Sequence, residues 1–346
     1  MRIKRIIVEN QVKDSSYVKN ILDKMKHREI VFIDNYTDWF GRYHKPYLDK
    51  RNNLQLFLAR KQGKTVKPAP EAYGVSGEPH YYFVHAYNCI YECEYCYLQG
   101  YFRSPDLVLF TNHDEIRDSM TEIARSFNSN VWFHAGEFSD SLALSHITEE
   151  WAEYSNWLQQ HPNAKIELRT KSANLRGLKN VNPHENLIIS YSIAPEDQVS
   201  RYDHSASALD ARLRALQKLY QRGFKLGLHC DPVIYNPKVF ENYRNLFLKI
   251  KHFLPLETIE YLSIGMVRFA KDTFSALNQN YPQSALLAEE FVTGSDGKKR
   301  YARHIRLRTL NKLKEIAIES GFRSESVYIC MEEDSLQTGT PALLQQ

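Results

Sequence analysis

The stretch YNCIYECEYCYLQGYF, residues 87–102, contains three of the five cysteines in this chain of 346 residues. Cys89, Cys93 and Cys96 follow the spacing Cys-x3-Cys-x2-Cys. Their thiolates can converge on one face of a small inorganic centre, and thiolates are the ligands of iron–sulfur clusters. Three cysteines would leave one iron open to a substrate. Zinc is the alternative. Structural zinc takes four ligands, and because no second Cys-x2-Cys pair is present, His85 would have to complete the site.

The pattern around this loop predicts an α/β protein. Six short apolar runs are typical of buried strands: residues 80–86, 131–136, 165–170, 187–192, 225–233 and 259–267. Helical patterns lie between most of them, at residues 113–127, 146–161, 207–223 and 239–254. This alternation predicts a parallel sheet or an incomplete (βα)6 barrel, whose ligands bind at the C-terminal ends of the strands. The cysteine loop directly follows the first of these strands.

We divide the chain into three segments. Residues 1–75 form an N-terminal extension, residues 76–290 the partial barrel, and residues 291–346 a C-terminal basic helix and strand. A loop rich in lysine, proline and glycine, at 61–79, joins the first two. The basic sequence KKRYARHIRLR at 298–308 could bind nucleic-acid phosphates. It could instead form a solvated helix face, because its basic residues spread around the helix and do not form one stripe.

Composition limits the classes of protein. No run of eighteen apolar residues occurs, and the N-terminus turns polar after a very short apolar core, which excludes a spanning helix or an ordinary signal peptide. We therefore expect a cytoplasmic protein with no membrane partner. In a reducing compartment, five cysteines without disulfide-scaffold spacing indicate metal binding or catalysis. The net charge of +4 permits a nucleic-acid partner without requiring one.

The cysteine spacing, with the tyrosine of EYC before Cys96 and the alternating pattern, resembles the radical S-adenosylmethionine superfamily. The resemblance implies a 4Fe–4S cluster whose open iron binds the amino and carboxylate groups of S-adenosylmethionine. An electron from the cluster would split the sulfonium to give a 5′-deoxyadenosyl radical. The cluster would in turn need an electron donor such as flavodoxin or ferredoxin.

A closer resemblance covers the chain from before the cysteines to near residue 282. The segments CEYCYLQ, FHAGEFSD, RTKSAN, SYSIAPE and IGMVRFAKDTFSALNQNYP together look like the spore photoproduct lyase family. Members of that family repair the methylene-bridged thymine dimer that ultraviolet light makes in spore DNA. The resemblance therefore implies a carbon–carbon lyase that acts on DNA or another nucleic acid.

The resemblance also implies roles for individual residues. These are Cys89, Cys93 and Cys96 as cluster ligands, Ser139, Lys171, Ser192 and the backbone near Asp231 around S-adenosylmethionine, and Tyr95 and Tyr97 in hydrogen transfer. Lys171, at a strand end, could pair with the carboxylate of the cofactor. The serines have an alternative in ordinary turn chemistry, and the tyrosines have one in packing.

One position departs from the family pattern. Glu137 stands where spore photoproduct lyases carry the cysteine that donates the final hydrogen atom. A carboxylic acid O–H bond is too strong to quench a carbon radical, so either another donor takes over or the chemistry differs. Glu137 could instead bind the amino group of S-adenosylmethionine, because AGE resembles the Gly-Gly-Glu segment of other radical enzymes. Two cysteines outside the loop are other candidates for the hydrogen donor: Cys230, which could point into the barrel, and Cys330, in the tail. In the alternative, each is a small buried apolar side chain.

Three hypotheses follow. The first is a lyase-like radical enzyme that acts on a thymine lesion with an altered hydrogen donor. The second is a radical enzyme with the same scaffold and another substrate, in which Glu137 is a cofactor ligand. The third is a non-catalytic protein that binds metal or nucleic acid.

Overall fold

The computed structural model describes residues 3–41, 47–70, 73–74, 77–102 and 104–332. The strands are β1 Ile3–Glu9, β2 Glu29–Ile33, β3 Leu54–Ala59, β4 Val66–Pro68, β5 His80–Phe83, β6 Ala86–Tyr87, β7 Glu92–Cys93, β8 Leu107–Phe110, β9 Val131–His134, β10 Ala164–Thr170, β11 Leu187–Ser192, β12 Asp203–His204, β13 Lys225–Val233, β14 Tyr261–Met266, β15 Arg268–Phe269, β16 Val292–Thr293, β17 Lys299–Arg300 and β18 Val327–Ile329. The α-helices are α1 Ser16–Lys24, α2 Tyr47–Arg51, α3 Leu98–Tyr101, α4 His113–Arg125, α5 Ser145–Thr148, α6 Trp151–Gln159, α7 Glu196–Tyr202, α8 Leu209–Gln221, α9 Val239–Lys251, α10 Lys271–Asn280 and α11 Arg303–Ser320. Short 3-10 turns cover Tyr36–Asp38, Arg176–Leu178, Leu256–Thr258 and Ser324–Ser326.

The larger sheet has the strand order β18-β14-β13-β11-β10-β9-β5-β4. The six predicted strands of the barrel are neighbours in it, and all six run parallel. Strand β18 extends the sheet in parallel at one edge, and β4 pairs antiparallel at the other. This arrangement confirms the predicted incomplete barrel. A second sheet, with the order β2-β1-β3-β8-β6, lies beside it.

Strand β10 shows why the site forms inside the barrel. Ile166 and Leu168 pack in the main apolar core with side chains of the surrounding helices. Glu167 and Arg169 alternate with them and contact polar residues of neighbouring strands on the inner face. Strand β10 is therefore apolar towards the helices and charged on the inner face of the barrel.

The sheets connect all three predicted segments. Strands from residues 1–75 share the smaller sheet with β6 and β8, which come from the predicted core. The C-terminal strand β18 completes the larger sheet. Chain on both sides of residues 75 and 290 thus contributes to common sheets, and the division into segments stays a prediction. No helix in the described ranges is long and apolar enough to cross a bilayer.

Two predicted helices show how the chain controls helix ends. The pattern at 146–161 forms two helices, α5 and α6, because Glu149 takes a left-handed backbone conformation with φ of 55° between them. The pattern at 207–223 ends as expected: α8 stops at Gln221, and Gly223 follows with φ of 86°. Glycine adopts that conformation without steric cost, which is why it commonly follows a helix.

Candidate active site

A cavity of about 440 Å³ lies at the C-terminal ends of the barrel strands. Ten of the candidate residues from the sequence line it: Cys89, Cys93, Cys96, Tyr95, Tyr97, Glu137, Ser139, Lys171, Ser192 and Asp231. These residues come from the cysteine loop and from the ends of four different strands. The fold therefore gathers the predicted set in one place, and the role of each residue stays a prediction.

The cysteine loop is held by a buried arginine. The guanidinium of Arg51 donates to the carbonyl oxygens of Cys89 at 2.8 Å and Ile90 at 2.7 Å. Asn88, with a left-handed φ of 62°, donates from its side-chain amide to the backbone at Ser104 and Asp106. These bonds fix the backbone immediately before and at the first cysteine. The loop is therefore shaped by the protein itself.

The three thiols face the cavity from within the protein. Cys93 is buried, whereas Cys89 and Cys96 are partly buried. Burial raises the pKa of all three thiols, Asp140 and Asp203 raise those of Cys89 and Cys93 further, and Arg51 and Lys171 oppose that rise. Positive groups beside this loop would stabilise thiolates that bind a metal centre.

The described side chains offer no ligand set for a single metal ion. Among the residues that the structure describes, no three His, Cys, Asp or Glu side chains are arranged to hold one ion. His85, which the zinc alternative needs as its fourth ligand, instead lies 3.6 Å from Glu150 and packs edge-on against Trp151. A cluster of several irons is larger than one ion, so its thiolates stand further apart than the ligands of tetrahedral zinc, whose bonds are about 2.3 Å long. The donor set of three cysteines fits such a cluster.

Asp140 connects the loops that follow β9 and β10. Its carboxylate accepts hydrogen bonds from Thr170 and from the backbone N–H groups of Leu142, Ala143 and Lys171, at 2.7 to 3.0 Å. Burial raises the pKa of Asp140, and these bonds lower it. Asp140 was not among the residues selected from the sequence, although it ends the FHAGEFSD segment, directly after Ser139.

Tyr95 and Lys171 meet at a buried ion pair. The phenol of Tyr95 donates to Asp203, which also accepts from the guanidinium of Arg212 at 2.7 Å. The Lys171 ammonium lies 5.4 Å from the centre of the Tyr95 ring. Burial would raise the pKa of Asp203, but Lys171 and Arg212 hold it below its usual range. Asp203 also pairs with Cys93 between β12 and β7, so it supports the cysteine loop directly.

Tyr97 and Glu137 form a hydrogen-bonded pair in the cavity wall. The Tyr97 phenol donates to the Glu137 backbone oxygen at 2.5 Å and to its Oε1 at 3.0 Å. Burial raises the pKa of Glu137, while Arg169 and Arg268 oppose that rise. Glu137 therefore orients the phenol beside the third cysteine.

A polar network lies beneath this pair. Glu167 accepts from Ser190 at 2.5 Å, His229 at 2.6 Å and Tyr261 at 2.7 Å, and it also contacts His134 and Arg169. Burial would raise the pKa of Glu167, but the cations around it keep it well below the ordinary value. The network fixes Arg169, whose side chain reaches the cavity.

The two spare thiols occupy different places. Cys230 lies in the main core near Tyr243, on the helix side of β13, so the prediction that it could point into the barrel is wrong. The side chains of His229 and Asp231 face inward instead, because successive residues of a strand alternate. Cys330 is buried after β18, near Asp231 and Arg268, and does not line the cavity.

The basic C-terminal segment is only partly a surface feature. Arg306 is buried and binds Glu332 at 3.1 Å, and Arg300 is buried beside the same carboxylate. For these two arginines, the prediction of phosphate binding and the prediction of a solvated helix face are both wrong, because each arginine pairs with Glu332 inside the protein. Lys298, in the turn between β16 and β17, lines the cavity.

Comparison with known proteins gives one family. The profile of the spore photoproduct lyase family matches residues 70–320. Spore photoproduct lyase of Bacillus subtilis (strain 168) is 27% identical over 212 residues, which cover 59% of this chain and 61% of the relative. The enzyme of Geobacillus sp. (strain Y412MC61) is 23% identical over 209 residues, with the same shares. The chain thus aligns with less than two thirds of each of these relatives.

Solved structures share the fold. A spore photoproduct lyase mutant with bound AdoMet and dinucleoside spore photoproduct superimposes with a TM-score of 0.80 at 19% identity. The match covers 94% of this chain and 97% of that one. A second structure, the lyase complexed with dinucleoside spore photoproduct, gives a TM-score of 0.78 with the same coverage.

Proposed function

This chain belongs to the spore photoproduct lyase family, and we propose that it is a radical S-adenosylmethionine enzyme that acts on a thymine photolesion in nucleic acid. The observation that carries the proposal is the single cavity into which three cysteines, Lys171 and Tyr97 project together. The two spore photoproduct lyases that align with this chain over 61% of their length support the reaction class.

Cys89, Cys93 and Cys96 would hold a 4Fe–4S cluster at one end of the cavity. When bound, the cluster and S-adenosylmethionine would supply the radical chemistry that removes a hydrogen atom from the substrate. Lys171 would pair with the carboxylate of the cofactor, since it lies at a strand end beside the cysteine loop. Ser139, Ser192 and Asp231 line the same space and would contact its other polar groups.

Cationic side chains support an anionic substrate. Arg169, Lys171, Arg268 and Lys298 all line the cavity, and phosphate groups bind to such charges. A related structure holds a dinucleoside photoproduct, which supports a nucleic-acid lesion as the substrate here. We infer an electron donor such as flavodoxin or ferredoxin, and a cytoplasmic location, because an iron–sulfur cluster suits a reducing compartment.

Tyr97 is our candidate for the final hydrogen donor. Glu137 replaces the expected thiol, Cys230 faces the helices, and Cys330 does not line the cavity. The Tyr97 phenol is hydrogen-bonded to Glu137 within the cavity, so its O–H group lies next to the position that carries a thiol in the family. In the alternative, Glu137 binds the amino group of S-adenosylmethionine; its place in the same cavity as the cysteines favours that role.

The test compares formation of 5′-deoxyadenosine with and without the lesion. Anaerobically reconstituted protein is mixed with reductant, S-adenosylmethionine and a dinucleotide spore photoproduct, and the nucleoside is quantified by chromatography. We expect the lesion to accelerate its formation. Formation at one rate regardless of the lesion would favour another substrate. A colourless protein that retains zinc and forms no 5′-deoxyadenosine would favour the non-catalytic hypothesis.

A further inference from the structure

A second, much smaller cavity lies behind the cysteine loop, where the two large sheets meet. Its volume is about 10 Å³, close to the space that one water molecule needs. His85 and Asn88 reach it from the chain around β6, and Ser141 and Glu150 reach it from the segment after β9. Each of these four side chains is at least 95% buried.

Four polar atoms at this cavity lack a partner. They are His85 Nε2, Asn88 Oδ1, Ser141 Oγ and Glu150 Oε2, and none of them makes a hydrogen bond within the described part of the chain. Buried polar groups in folded proteins are almost always hydrogen-bonded, to protein or to ordered water. A group of four such atoms at one small cavity therefore points to an occupant that binds all four.

The chemistry of the four atoms matches one water molecule. Asn88 Oδ1 and Glu150 Oε2 can only accept hydrogen bonds, so water would donate its two protons to them. His85 Nε2 and the Ser141 hydroxyl can donate, so they would supply the two bonds that water accepts. A sodium-sized cation fits less well, because it would need every one of these groups to act as an acceptor.

We propose that this cavity is a binding site for one ordered internal water molecule that joins Asn88 and Ser141 to the His85–Glu150 pair. Asn88 directly precedes Cys89, and Ser141 directly follows Asp140. The water thereby links the cysteine loop to the loop that Asp140 organises. It connects both to the seam between the sheets.

The water lies where it can help to fix the start of the cysteine loop. Ser139 and Asp140 line this cavity and the large cavity as well, so a single short segment separates the two spaces. Asn88 holds a left-handed conformation while its amide nitrogen binds two carbonyl groups. Water on its Oδ1 completes the hydrogen bonding of that side chain and so helps to fix the start of the cysteine loop.

A crystal structure of the protein at about 1.5 Å resolution tests the proposal directly. We expect one well-ordered water within hydrogen-bonding distance of all four atoms. An empty cavity would overturn the proposal. A peak of anomalous scattering at the site after soaking in rubidium chloride would also overturn it, because the occupant would then be a monovalent cation. Neither result depends on the substrate of the enzyme.

Two serine variants provide a second measurement. Ser141→Ala removes one partner of the water, whereas Ser155→Ala removes an equally buried hydroxyl on α6 whose partner is the backbone oxygen of Asn182, at 3.4 Å. We expect Ser141→Ala to lower the melting temperature by roughly 2 °C more than Ser155→Ala does. Equal melting temperatures for the two variants, with the water unchanged in the Ser141→Ala crystal, would contradict the proposed role of Ser141.

Discussion

Replacing Asp203 by alanine should destabilise the protein strongly. The Asp203 and Arg212 side chains are 2% and 1% exposed, and their charged atoms are 2.7 Å apart. Asp203→Ala would leave the Arg212 guanidinium buried without its counter-charge, and the Tyr95 phenol would lose its acceptor. Breaking a buried ion pair in this way costs about 3–5 kcal/mol. In a chain of this length, that corresponds to a fall in melting temperature of roughly 4–7 °C.

The variant Asp210→Ala is a matched control, because it removes an aspartate from an exposed ion pair. Asp210 lies 2.6 Å from Lys249, but the two side chains are 48% and 36% exposed. Exposed ion pairs contribute at most about 1 kcal/mol, so Asp210→Ala should change the unfolding free energy by no more than that. The assay is denaturant unfolding followed by circular dichroism.

The double variant Asp203→Ala/Arg212→Met tests the cause. It removes the unpaired charge, so it should be less destabilised than the sum of the two single variants. Equal unfolding free energies for Asp203→Ala and Asp210→Ala, or strict additivity in the double variant, would refute the reasoning.

Three further predictions concern the metal centre, pH and nucleic acid. Cys93→Ala should abolish the brown colour of the reconstituted protein, while Cys230→Ala, whose thiol faces the helices, should keep it; a coloured Cys93→Ala protein would contradict the ligand assignment. Burial lowers the pKa of His113 to about 4 from 6.5, so the unfolded chain binds more protons between these values. The stability that this histidine contributes is complete above pH 6.5 and falls by about 3 kcal/mol as pH drops to 4. Unfolding free energies measured across this range should show that loss in the wild type and a smaller one in His113→Gln; equal losses would refute it. Lys298→Ala should weaken binding to single-stranded DNA and reduce the salt slope by about one, measured by fluorescence anisotropy. Lys225→Ala, at the opposite end of the barrel, should do neither.

The general plan of the site could be predicted because it depends on local patterns. Six apolar runs separated by helical patterns define a parallel sheet, and parallel strands bring the residues at their C-terminal ends together. The family resemblance selected Lys171 and Asp231 and drew attention to Glu137, and the parallel strands explain why these distant residues line one cavity with the cysteine loop.

Features that depend on distant partners could not be predicted in this way. Asp203 is a support of the cysteine loop only because Arg212 and Tyr95 converge on it, and Tyr95 lies 108 residues earlier. Arg306 is buried because Glu332 reaches it from 26 residues later in the chain. Neither partner leaves a signal in the local sequence.

The direction of a side chain on a strand was a further limit. The sequence located Cys230 correctly in β13 but could not decide which face it occupies, because a shift of one residue in register exchanges the two faces. The structure settles this through His229, whose bond to Glu167 fixes the inward face and sends Cys230 outward.

Repair of the lesion itself tests the central claim most directly. Reconstituted protein, reductant and S-adenosylmethionine are incubated with a dinucleoside spore photoproduct, which has no phosphodiester link, and released thymidine is measured by mass spectrometry. We predict thymidine release by the wild type, and its loss in Tyr97→Phe while 5′-deoxyadenosine still forms. If the wild type forms 5′-deoxyadenosine but releases no thymidine, the cavity serves a different substrate and the proposed function is wrong.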